Sequence, residues 1–336
     1  MTIGHPDSSD ALNKFEDLTG IVSSGAFSNP YDGLISASND DPAQLQALYS
    51  RHRDTRNEQQ RKYILSDDFK GPNIDGILYK LVNKSEYPGF IDPRYCLVFW
   101  ARPPQHIKDL ISAIQKKLLD AAPSLWLMPI DSLHLTALEI THSRTSHEIQ
   151  HLLATLESSI PAITDYTLTH RARLIKPRLS YDAAAVALSF VPAAGEARTA
   201  TDDKYTYHHL RRDLYALNAA AGVAIDSRYT VPSAHLTVAR FVSHADLCGS
   251  GEDREKGEKA LLPPAPDKKK VAAWITQIDE INRWLEEEYW PLPLPQPQST
   301  IKRGGEWVVG DEKGLDCRWG TLWYGGGETV RLGTGF

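Results

Sequence analysis

The chain has 336 residues, 41% hydrophobic and 24% charged, with a formal net charge of −6. That is the length of one large bilobal unit and the composition of a soluble globular protein, and no run nears the roughly eighteen apolar residues of a membrane span. A negative overall field repels a long polyanion, so any nucleic-acid substrate is expected to be a nucleotide or a strand end held in a local basic pocket.

Residues 1–90 read as an N-terminal extension, polar and turn-rich up to Asp41-Pro42, then helical from Pro42 to about Ile64. The mixed-sign stretch from Arg51 to Glu58 reads as a solvated helix face rather than a binding patch. The start, Met1 to Asp7, lacks the basic and apolar regions of a secretory signal, which points to a cytosolic or nuclear protein. Tyr95 to Trp100 is dense in β-favouring side chains, and the spacing of Ile107, Leu110, Ile111, Ile114 and Leu118 predicts an amphipathic helix over 105–121. The run Leu125 to Met128 and Pro129 lead into a strand from Leu133 to Thr141. Thr145 or Ser146 is placed to cap the next helix, and strands follow at about Tyr166–Ile175 and Ala183–Phe190. A helix through Leu210, Leu214 and Leu217 then leads, by Tyr229-Thr230-Val231-Pro232, into another strand. Residues 249–270 are charged and proline-rich, as in an insertion. Beyond them come a helix with Trp274, Ile278 and Ile281, a proline connector at 291–297, and glycine-punctuated hairpin strands in a C-terminal extension over 291–336. The expected fold is α+β: a core over 91–290 with two pseudo-symmetric antiparallel sheets, outer helices and a central cleft.

Two tetrapeptides stand out within this order, His134-Leu135-Thr136-Ala137 and His235-Leu236-Thr237-Val238, each in a strand reached by a strand, a helix and a proline-containing approach. Ser132 and Ser233 both stand two residues before the histidine. In an extended strand residues i and i+2 share a face, so each copy presents one imidazole beside one hydroxyl. The alternation continues as Leu138 and Ile140 in the first strand and Ala239 and Phe241 in the second. A lone His-Leu-Thr is explained by a satisfied core histidine, and its duplication is not. Facing each other across a cleft, the pairs supply two proton-transfer groups and two donors to an anion, which suits a phosphate ester or phosphodiester.

On these motifs the chain resembles the 2H phosphoesterase superfamily, defined by two His-x-Thr/Ser-x motifs and including 2′-5′ RNA ligase-like proteins and cyclic nucleotide phosphodiesterases. The resemblance covers the order of elements over about 90–250. It implies motifs on central strands of two related lobes, and a metal-independent phosphodiesterase acting on 2′,3′-cyclic phosphate nucleotides or RNA 3′ ends without a cofactor. His134 and His235 would be the acid and base, and Thr136 and Thr237 would hold the non-bridging oxygens. Alternatives are a non-catalytic module that binds a nucleotide phosphate and a cleft adapted to another small metabolic substrate. The sequence points to no obligate protein partner.

Arg228 and Tyr229, just before the second motif, are candidates to line the pocket through phosphate binding and base stacking. The basic run Arg171, Arg173, Lys176 and Arg178 reads as a solvated strand edge before a phosphate contact. His147 and His151 are spaced for a metal but lack carboxylate or cysteine partners in the sequence, and His142 and His244 read as loop residues at strand ends. Cys96, Cys248 and Cys317, odd in number and widely spaced, read as unpaired thiols.

Overall fold

The computed structural model describes residues 16–21, 27–196, 203–249, 264–291 and 304–336. The fold is α+β, with two antiparallel sheets flanked by helices. The first sheet has the order β3-β1-β8-β9, from β1 (Tyr95–Ala101), β3 (Leu135–Arg144), β8 (Lys313–Gly320) and β9 (Glu328–Thr334). The second has the order β2-β6-β5-β4-β7, from β2 (Trp126–Leu127), β4 (Ala172–Tyr181), β5 (Ala185–Pro192), β6 (Ala234–Arg240) and β7 (Trp307–Val309). The duplicated order is visible in three dimensions. β1, helix α4 (Gln105–Ala121) and β3 correspond to β5, helix α7 (Tyr207–Ala220) and β6, and each motif strand pairs antiparallel with the strand before its helix.

The period-2 geometry of β1 separates two apolar faces. Leu97, Phe99 and Ala101 enter the main core, while Cys96, Val98 and Trp100 form a small cluster with Leu322 on the opposite face. The main core runs from one sheet to the other, with α4 and helix α8 (Lys268–Tyr289) burying the apolar stripes expected from their spacing. Helix α5 (Ser146–Leu156) begins at Thr145 with the reciprocal Thr145–Glu148 capping box. All three cysteines are free and buried.

Several expectations are corrected. The first motif strand begins at Leu135, because Ile130–Ser132 forms a helical turn ahead of it. Tyr166–Leu168 is likewise a helical turn, in which the Tyr166 ring stacks on His170 with centroids 3.9 Å apart, and the strand starts at Ala172. His142 lies within β3, and His244 is buried in the turn that follows β6.

The helix face containing Arg51–Glu58 is not simply solvated. Helix α2 (Pro42–Ile64) packs on the second sheet, burying His52 and Arg53, and Arg56 pairs with Asp182 at 2.8 Å. The basic run is not an open edge: β7 pairs with β4 at Ala172–Leu174, and beyond it Arg53 and Asn57 of α2 donate to the Lys176 and Leu179 carbonyls. Arg173 is buried between Asp203 and Glu306, while Lys176 and Arg178 meet Glu196, Asp54 and Glu286.

The strands taken as a C-terminal extension are hydrogen-bonded into both sheets, β8 beside β1 and β7 beside β4, so β7 is no hairpin partner of β8. Trp319 and Gly320 close β8, and Thr321–Tyr324 turn away. Residues 250–263 of the expected insertion, and 292–297 of the proline connector, lie outside the described residues. Asp267 caps α8, so its last residues, 268–270, are helical.

Candidate active site

β3 and β6 approach each other where the two sheets meet, and both motifs open into one cleft. His134, Thr136, His235 and Thr237 line it together, with Trp100, Glu139, Arg228, Tyr229, Arg240 and Trp323 among its other walls. Its volume, including the open mouth, is about 570 Å³. All six residues expected from sequence for the site are therefore brought together.

The alternation around the motifs is broken in the same way in both strands. β3 holds Thr136 opposite Trp100 but Leu138 opposite Phe99 and Glu139 opposite Val98, so Ala137 is an extra residue. β6 holds Thr237 opposite Ala187 but Ala239 opposite Val186, so Val238 is the extra residue. A bulge bends the strand and changes which side chains share a face. Leu138 and Ala239 thus turn to the core, and Glu139 and Arg240, each five positions after its histidine, join the cleft. The simple alternation expected beyond each threonine is corrected by these bulges.

Each serine ahead of a histidine contacts its Nδ1, but by a different group. His134 Nδ1 lies 2.8 Å from the Ser132 carbonyl. A carbonyl only accepts, so Nδ1 carries the proton and the neutral ring offers its lone pair at Nε2. His235 Nδ1 lies 2.9 Å from the Ser233 hydroxyl, which can donate or accept, so both tautomers of His235 are allowed. Gly325, at φ +82°, backs the first arrangement: a Cβ there would come within 2.3 Å of the Ser132 Cβ.

Trp100 stacks on His134, with ring centroids 3.6 Å apart and planes 13° apart. Arg102 and Arg318 lie 4.8 and 5.3 Å from the Trp100 ring, and Arg102 is held by Asp316 at 2.7 Å. Tyr229 stands beside His235, with centroids 6.1 Å apart.

Both imidazoles are half-buried, and burial is the chief reason their proton affinity falls. His134 is lowered to about 3, with Arg102 and His235 adding to the effect against the Ser132 carbonyl. His235 is lowered to about 4, with Arg56, Arg211 and His52 reinforcing burial and Asp182 opposing it. Both rings are therefore neutral at pH 7.

Arg228 grips Glu139 through its backbone N–H at 3.1 Å and its Nε and Nη2 at 3.2 and 3.0 Å, so its charge is matched. Its guanidinium also lies 4.4 Å from the Trp323 ring, as does that of Arg94. Arg240 differs. Among the described residues it has no ion-pair partner, its Nε is buried without a hydrogen bond, and Tyr324 lies 5.7 Å away. The hydroxyls of Thr136 and Thr237 likewise have no hydrogen-bond partner among the described residues.

Glu139, Arg240, Trp100 and Trp323 went unassigned in the sequence. The one available signal was a charge interrupting an otherwise apolar strand five residues after each motif histidine. His147 and His151 are exposed on α5, and among the described residues no group of three or more His, Cys, Asp or Glu side chains is arranged to hold a metal ion.

No protein-family model matches the chain, and no curated protein does. Among solved structures it is similar to a conserved protein of unknown function from Agrobacterium tumefaciens str. C58. That similarity has 13% identity and a TM-score of 0.44, covering 81% of this chain and 97% of that one. No helix among the described residues is long and apolar enough to cross a membrane.

Proposed function

We propose that the cleft binds a phosphodiester, a 2′,3′-cyclic phosphate nucleotide or an RNA 3′ end, and hydrolyses it by paired-histidine acid–base catalysis. The observation that carries this reading is the convergence of His134, Thr136, His235 and Thr237 on one cleft from two different sheets. One imidazole, neutral, takes a proton from water as its oxygen attacks phosphorus. The other, cationic, protonates the ribose oxygen as its bond to phosphorus breaks, so the ring opens to a phosphomonoester. Thr136 and Thr237 donate to the non-bridging oxygens.

Arg240 supports the reading, because a guanidinium at the wall with no carboxylate partner among the described residues suits a phosphate better than a neutral ligand. Tyr229 supports it too, as an aromatic surface beside His235 on which a base can stack. Arg228 is given a different role from direct phosphate binding: with its charge on Glu139, it braces the wall.

The test is incubation with the four 2′,3′-cyclic nucleotides and with short RNAs bearing defined 3′ ends, with the His134→Ala/His235→Ala double variant as control. Release of a 2′- or 3′-phosphate by the wild type alone is expected. Saturable binding without turnover would replace the hydrolase with a binding module.

A further inference from the structure

The two motif strands are not joined by a ladder. β3 is the outermost strand of the first sheet and β6 belongs to the second, so no strand pairing sets the distance from His134 to His235. Proton transfer at both ends of one phosphate depends on that distance, because a general acid or base acts only within hydrogen-bond reach. The spacing has to be held from outside the two strands.

Helix α7 spans the gap. It opens with Tyr207, and Arg211 follows one turn later on the same face. The Tyr207 hydroxyl donates to the Thr136 carbonyl, on the first motif strand, at 3.1 Å. Arg211 Nη1 donates to the Val231 carbonyl at 2.7 Å, and the Ser233 N–H donates to the same oxygen at 2.8 Å. The Ser233 hydroxyl in turn touches His235 Nδ1. Each motif is thus tied, through a backbone carbonyl, to one side chain of a single helical turn.

Both side chains are buried, Arg211 to 1% exposure. Its guanidinium faces the Tyr31 ring at 4.6 Å and the Tyr207 ring at 5.9 Å, and among the described residues no carboxylate pairs with it. A buried charge is costly, and a leucine or methionine would fill the space without that cost. Neither would donate to Val231. The turn is also pinned from behind: His208 donates from Nε2 to the Tyr31 carbonyl and accepts at Nδ1 from the Tyr49 hydroxyl, both at 2.9 Å. The Tyr31 hydroxyl donates to the Tyr229 carbonyl at 3.2 Å, so the N-terminal residues brace the same loop.

We infer that Tyr207 and Arg211 are positioning residues, a clamp on α7 that fixes the separation of the two motifs and with it the reach from His134 to His235. The inference rests on the proposed phosphodiester reading for the chemistry that this spacing serves. Neither residue touches the ligand. Tyr207 acts through Thr136, and Arg211 acts through Val231 and Ser233.

The test compares wild type, Tyr207→Phe, Arg211→Met and the double variant, each well below its melting temperature. Single-turnover rates on a saturating 2′,3′-cyclic nucleotide should fall about tenfold or more in each single variant, while its dissociation constant stays within about threefold, because small misplacements of reacting groups are expensive in rate. Losing either hold opens the same link, so the double variant should be slower than the worse single one by no more than about twofold. A purely structural role would lower melting temperatures and leave the rates unchanged. That result, or losses that multiply in the double variant, would overturn the clamp.

The ¹⁵N resonances of the imidazoles give a reading without turnover. Tyr207→Phe should move those of His235, in the motif that the hydroxyl does not touch, and unmoved resonances overturn the proposal. This variant removes a single oxygen, and it decides the matter if Arg211→Met does not fold. The two readings fail separately. A wild type that turns over no cyclic nucleotide sinks the hydrolase and leaves the clamp to the resonances, whereas turnover with unchanged rates in both single variants does the reverse.

Discussion

Anion binding in the cleft should take up a proton. His134 and His235 are lowered to about 3 and about 4, so at pH 6 neither ring carries appreciable charge before an anion binds. A phosphodiester monoanion placed about 4 Å from an imidazolium contributes roughly 4 kcal/mol at the effective dielectric of about 20 that suits such sites. At about 1.4 kcal/mol per tenfold change, proton affinity rises by roughly a thousandfold, enough to charge one ring in the neutral range. The second ring gains little, because the first proton has already neutralised the anion, and the titration belongs to the pair. A thymidine dinucleotide, whose diester does not titrate, is a suitable probe. Calorimetry at pH 6 in buffers of different ionisation enthalpy should report close to one proton taken up per ligand bound. Affinity should rise as pH falls from 7 to 5, and His235→Gln should lose most of the uptake. Binding with uptake below about 0.2 protons would refute the coupling, and with it the idea that the ligand anion creates the acid.

Three further outcomes follow from the same geometry. His134→Ala and His235→Ala should each slow the chemical step by about 10² to 10⁴, and Thr136→Val or Thr237→Val by less, as single-turnover rates on a 2′,3′-cyclic nucleotide will show. Arg228→Ala leaves Glu139, 3% exposed, as an unmatched carboxylate. Denaturant titration should find a loss of about 3 kcal/mol, and adding Glu139→Gln should recover much of it. Finally, burial lowers His52 and His235 to about 4 and His134 and His208 to about 3, against an ordinary value of 6.5. Below pH 6.5 the unfolded chain binds protons that the native state does not, so stability is full above that pH and is lost as pH falls toward 4 and 3. The melting temperature should track that window, and His208→Gln should flatten the slope.

What was legible in the sequence was whatever depends on local period. α2 and α4 run Pro42–Ile64 and Gln105–Ala121, as capping residues and apolar spacing predict, and the paired motifs marked the cleft. What was not legible depends on partners distant in the chain. The N-terminal helix reads as solvated because Arg53 and Arg56 are charged, yet Arg53 donates to the Lys176 carbonyl and Arg56 to Asp182, more than a hundred residues away. Arg173 reads as an edge residue until Asp203 and Glu306 meet it. Trp100 stands in a run of β-favouring side chains, and it is buried, but its partner is a catalytic candidate: the period of β1 places it on the cleft face, and only the pairing with β3 brings His134 onto its ring.

The repeated bulge explains how one duplicated skeleton yields a cleft with two unlike sides. At Ala137 and Val238 the extra residue falls directly after the motif threonine, so each half presents histidine, threonine and a third side chain five places after the histidine. Simple alternation would have sent that third residue to the core, where a charge is costly. The halves differ in what they place there. Glu139 is paired with Arg228 on the first side, while among the described residues Arg240 has no carboxylate partner on the second. The histidines differ in parallel: a carbonyl fixes the tautomer of His134, and a hydroxyl lets His235 take either. On the proposed phosphodiester reading, an anion entering the cleft is drawn toward the side of β6, beside the imidazole whose hydrogen-bond partner adapts to either proton arrangement. His134, held in one tautomer against Trp100, meets it with an oriented Nε2 lone pair.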